Sequence, residues 1–154
     1  MDYISSLANN VLKQFGTNDP FEIASILNIE IIIRSFSNNL KGIFVQDNKT
    51  AKHIIILNSK LNYIMKKFVL SHELGHAFLH PDTSRYFIES HTLFSPCKLE
   101  MQANKFAAAL LIDDNVLLEF IERGESIEIL AYELEVPVEL IRFKLEKADN
   151  IFFR

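Results

Sequence analysis

The chain has 154 residues, 49% of them hydrophobic and 23% charged, which suits one compact domain with a substantial core. A net charge of −4 disfavours nucleic acid as a partner, and a single cysteine, Cys97, excludes an intrachain disulfide and fits a reducing compartment. The N-terminus lacks a basic stretch followed by a long apolar run, and the aliphatic runs at 31–33 and 54–57 are too short to span a bilayer, so the expected location is cytoplasmic.

Residues 2 to 15 predict a first helix, with Ile4, Leu7, Val11, Leu12 and Phe15 on one side. "NDPFEIASILN" predicts a second, with Asp19 as N-cap, Pro20 as first helical residue and Glu22 closing a capping box. "IEIIIRSF", "KGIFVQ" and "HIIILN" are short and rich in β-branched residues, and predict three strands. The polar stretch from Asp47 to Lys52 joins the last two as a hairpin, so a small, mostly antiparallel sheet is expected.

From Ser59 to His80 the pattern turns helical, and Pro81 ends it. Irregular chain follows to Pro96, and then "CKLEMQANKFAAALLI" predicts a strong helix. Two or three short helices complete a tail from about Asp113. The whole is an α+β arrangement, a single domain over 1–154 in which 113–154 is a helical C-terminal part.

"VLSHELGHAFLH" carries three histidines at intervals of four, His72, His76 and His80. On a regular helix His72 and His80 start about 12 Å apart along the axis, too far to share one ion. His72 and His76 are one turn apart on one face and can share it. Glu73 projects about a quarter-turn away and can face a water without being a ligand. That is the HExxH arrangement, with Glu73 as general base. A catalytic zinc needs a third protein ligand and an open position for water. Glu100, on the apolar side of the next helix with Ala103, Phe106 and Ala107, is the best donor. Asn104, one turn later, is placed to hold the other nitrogen of a histidine. Glu89, in irregular chain, ranks below Glu100.

Other polar residues have blander readings beside functional ones. His80 is read as a helix-end residue favoured by the helix dipole, with support of the ligands or a substrate contact as the alternative. His53 is read as structural. Tyr86, His91 and Tyr132 are candidates to stabilise an oxyanion, and each has a packing explanation. Cys97 is read as a small core residue, with redox control of the site as the alternative. "IEILAYELEVPVELIRFKLEK" has helix-turn-helix rhythm, but Glu133, Glu135 and Glu139 near its turn would repel phosphates, so a plain helical hairpin is preferred.

"FVLSHELGHAFLH", together with "EMQANKFAAALL" after it, resembles the ImmA/IrrE family of zinc metallo-endopeptidases; "HIIILN" and "DPFEIASILNIEI" add to the likeness. The resemblance covers about residues 15 to 115 and, more weakly, the tail. It implies a zincin-like, thermolysin-like fold, one zinc ion with a catalytic water held by His72, His76 and Glu100, and Glu73 as the catalytic residue. It further implies that the substrate is a helix-turn-helix repressor controlling a phage, mobile element or stress response. Some relatives carry their own DNA-binding domain; here the repressor is expected to be a separate partner, with no direct nucleic-acid or membrane binding. Zincin architecture places an extended substrate along the edge of the sheet. The alternative is a zinc-containing antirepressor or toxin–antitoxin partner that acts by binding without cleavage. One departure from the family pattern is Ile112-Asp113, where many relatives have Met-Pro.

Overall fold

The computed structural model describes residues 2–36, 40–47, 49–81 and 97–152, with side chains to 146 in the last span. Helix α1 (Tyr3–Phe15) begins at Asp2, whose carboxylate accepts from the backbone N–H groups of Ile4 and Ser5, and ends at Gly16 in the left-handed region (φ 69°). Helix α2 (Pro20–Ile26) has Asp19 as N-cap and proline in its first turn, as its sequence predicts. The capping box does not close. The Asp19 N–H donates to Thr17 Oγ1 (3.1 Å), which takes the place expected for Glu22.

Strands β1 (Glu30–Arg34), β2 (Gly42–Asp47) and β3 (Lys52–Asn58) form one sheet in the order β1-β3-β2. β2 and β3 are an antiparallel hairpin, with Asp47 opposite Lys52. β1 runs parallel to β3, with Glu30 opposite Ile54. The sheet is therefore mixed, which corrects the expectation of a mostly antiparallel one. Short connections suggest a meander, but β3 takes the centre. Along β3, Ile55 and Leu57 on one face are fully buried, while Ile54 and Ile56 on the other are partly buried.

Helix α3 (Tyr63–Leu79) starts four residues later than expected, because Asn62 caps it by accepting from the Met65 N–H (2.8 Å). All residues from Phe68 to His76 are buried, so α3 is a central helix rather than one with a single apolar stripe. Helix α4 (Lys98–Leu111) packs along it. α4 stops because Ile112 turns extended and Asp113 caps helix α5 (Asp114–Arg123), accepting from Asn115 and Val116. Ile112-Asp113 thus ends one helix and starts another without a proline. Helices α6 (Ile127–Leu134) and α7 (Val138–Phe152) follow.

Two apolar cores result. One gathers α1, α2, the sheet, α3 and α4 around residues such as Ile23, Ile55, Leu70 and Leu74. The other joins Phe68 and the far side of α4 to α5, α6 and α7 through Phe120, Leu130, Leu140 and Ile141. The α6–α7 hairpin buries Leu130, Val136 and Ile141 in this second core, as expected of a hairpin that closes the fold. Lys67 Nζ on α3 donates to the Leu134 carbonyl at the end of α6 (3.2 Å), tying the tail to the central helix. No helix among the described residues is long and apolar enough to cross a membrane.

Candidate metal centre

α3 and α4 can run close together because small residues meet at their crossing. A methyl group placed on Gly75 would lie 3.1 Å from both Cα and the carbonyl oxygen of Ala103. The alanines of α4 signalled this approach in the sequence; Gly75, inside the HExxH motif, was not singled out.

Across that crossing His72, His76 and Glu100 converge, with one donor atom from each within 4.8 Å of the others. His72 Nε2 lies 3.1 Å from Glu100 Oε2, and His76 Nε2 lies 3.3 Å from Glu100 Oε1. The two Nε2 atoms are 3.1 Å apart, and the rings meet edge to face with centroids 4.8 Å apart. All three side chains are buried. His72 Nδ1–H donates to Asn104 Oδ1 (2.8 Å). That bond leaves a lone pair on His72 Nε2, aimed toward an acidic oxygen and a second imidazole. Lone pairs converging in a buried space need a cation or a shared proton between them. Two imidazoles and a carboxylate are a donor set that suits a divalent transition metal, and a three-residue set leaves a coordination position open.

Glu73 is not one of the converging donors. It is 1% exposed, and its Oε1 has no hydrogen-bond partner among the described residues. It faces β2 at Gly42, a placement that its spacing from His72 does not reveal. A buried, unsatisfied carboxylate oxygen is costly for folding alone, which is why such groups concentrate where chemistry is done.

The remaining candidates divide. Asn104 is fully buried and holds His72, where the sequence placed it. His80 caps the end of α3, with its ring 5.6 Å from that of His76. Burial lowers its pKa, the neighbouring His76 adds to this, and a hydrogen bond to the Leu99 backbone opposes it. That hydrogen bond links the end of α3 to the start of α4. Tyr132 is 81% exposed on α6 and makes no hydrogen bond or ring contact with the three donors. Tyr86, His91 and Glu89 lie outside the described residues. His53 packs edge-on against Phe44 on the sheet, centroids 5.6 Å apart. Cys97 is exposed, not a core residue, because it sits just ahead of the first turn of α4.

Comparison with known proteins adds a family. Residues 24–146 match the peptidase family model described as the IrrE N-terminal-like domain. The chain is 37% identical over 141 residues to a Bacillus phage phi105 protein named "Uncharacterized immunity region protein 2", covering 92% of this chain and 88% of that one. It is 32% identical over 149 residues to "Metallopeptidase ImmA" of Bacillus subtilis (strain 168), covering 96% and 86% respectively.

Proposed function

The chain belongs to the ImmA/IrrE family, and from that premise we propose that it is a zinc-dependent endopeptidase that acts inside the cell on a helix-turn-helix transcriptional repressor. His72, His76 and Glu100 would hold the zinc, in a single zincin-like domain that includes the helical tail. The observation that supports this most is the pairing of that buried donor set with Glu73, a buried carboxylate whose Oε1 has no partner among the described residues. A metal that served structure alone would have no use for it.

When bound, zinc lowers the pKa of water toward about 7 and polarises the scissile carbonyl. Glu73 serves as the base that accepts a proton from water and later delivers it to the leaving amine. Asn104 fixes the His72 tautomer, so that Nε2 is the nitrogen presented to the metal. Among the described residues β2 pairs with β3 alone, and its other edge is where an extended peptide would add as a further strand.

The repressor as substrate draws support from the names of the two relatives, one a metallopeptidase and the other a product of a phage immunity region. The test is incubation of the purified, zinc-loaded protein with a helix-turn-helix repressor encoded beside its gene. Wild type should yield discrete fragments and Glu73→Gln should leave the repressor intact. Equal cleavage by both contradicts the role of Glu73. Full relief of repression by Glu73→Gln in cells favours the non-cleaving antirepressor reading.

A further inference from the structure

Gly42 opens the edge strand β2 and is buried against α3. Its backbone is ordinary strand, paired with Leu57, and makes no conformational demand for glycine. The demand is spatial. A Cβ at position 42 would lie 2.5 Å from Val69 Cγ1, 3.2 Å from Glu73 Oε1 and 3.4 Å from Glu73 Cγ. Val69 is 1% exposed and β-branched on a helix, so its side chain has little freedom to move aside.

We propose that Gly42 is a positioning residue for the Glu73 carboxylate: the missing side chain leaves the slot between β2 and α3 in which that carboxylate lies. Two observations meet here. Glu73 Oε1 has no hydrogen bond among the described residues to fix it, so the walls of its slot set its place. Any side chain at 42 would press on Oε1, from the strand proposed to receive the substrate. The inference rests on the metallopeptidase reading for what Glu73 does, and on the packing alone for what holds it.

A purely structural role for Gly42 would concern the contact with Val69, and the two roles can be separated. Val69→Ala removes the methyl group that a new Cβ would strike, yet leaves the 3.2 Å approach to Glu73 Oε1 in place. The probes are Co2+ as the metal and acetohydroxamate as the ligand. Acetohydroxamic acid passes its N–OH proton to the adjacent carboxylate and is held on the metal through its two oxygens as the hydroxamate. Binding is followed by the visible spectrum of the cobalt protein, so no substrate is needed. Gly42→Ala should melt at lower temperature than wild type. Gly42→Ala/Val69→Ala should melt like Val69→Ala alone and take up one Co2+, but bind acetohydroxamate about tenfold more weakly than Val69→Ala, the scale of one weakened charged hydrogen bond. Equal hydroxamate affinity in those two variants, each with full Co2+, overturns the inference and leaves the metal site standing. A wild type that takes up no Co2+ overturns the metal site and this inference with it.

Discussion

Gly75 of α3 and Ala103 of α4 lie so close that a side chain at 75 would crowd its neighbours: a methyl group on Gly75 would sit 3.1 Å from Ala103 Cα and 3.3 Å from Phe106 Cβ. This contact sets the distance across which Glu100 meets His72 and His76. Two of the three atoms crowding position 75 are backbone, which cannot rotate away. Gly75→Ala should therefore push the helices apart, destabilise the fold by roughly 1–3 kcal/mol as overpacking does, and weaken metal binding along with it. Thermal melting with and without Zn2+ measures both. An unchanged melting temperature and unchanged zinc affinity would show that the close approach does not control the site.

Asn104 holds His72 through Nδ1, and in the proposed metal site it would act through that histidine. Removing its carbonyl in Asn104→Ala frees the imidazole to rotate and to change tautomer. Zinc affinity should fall about 10- to 100-fold, the range for groups that orient a metal-bound histidine. Competition with a calibrated chelator gives the number. Asn104→Asp keeps the acceptor and should retain affinity closer to wild type. If both variants bind as wild type does, His72 is held by something else.

Asp2 links α1 to α4 away from the metal: it caps α1, and its Oδ2 lies 3.1 Å from Lys105 Nζ. Partial burial raises its pKa, but the hydrogen bonds from Lys105 and Ser5 outweigh that and lower it below the usual 3.8. A carboxyl whose pKa falls on folding contributes stability above its unfolded pKa and loses it as pH drops through the folded value. Asp2→Asn keeps a capping oxygen and loses the charge. It should therefore be less stable than wild type by up to about 1 kcal/mol at pH 7, since the pair is partly exposed, and the gap should close below about pH 3.8. Urea unfolding of both proteins across that range checks it. A gap that stays constant with pH would deny the charge any part.

The convergence of His72, His76 and Glu100 was legible because helix geometry is local. Spacing of four residues places His72 beside His76, and an inward acid opening a second apolar helix names Glu100. The strands, the helical tail and the cap at Asp19 were legible for the same reason. What was not legible depends on contacts between distant segments. β3 in the centre of the sheet, the burial of α3 on every side and the slot at Gly42 all follow from which surfaces meet. Neither glycine had a turn to announce it. Gly42 and Gly75 are there for space, and a single sequence shows no difference between a glycine that makes room and one that is tolerated.

His72, His76 and Glu100 are proposed to bind one ion, and Glu100 is the donor that local spacing does not fix. Metal analysis of purified wild type beside Glu100→Ala, with circular dichroism to verify that both are folded, tests it most directly. The expected result is about one zinc per wild-type chain and little or none in the folded variant. A folded Glu100→Ala protein that keeps its full zinc complement, or a wild type that takes up none when zinc is supplied, would contradict it.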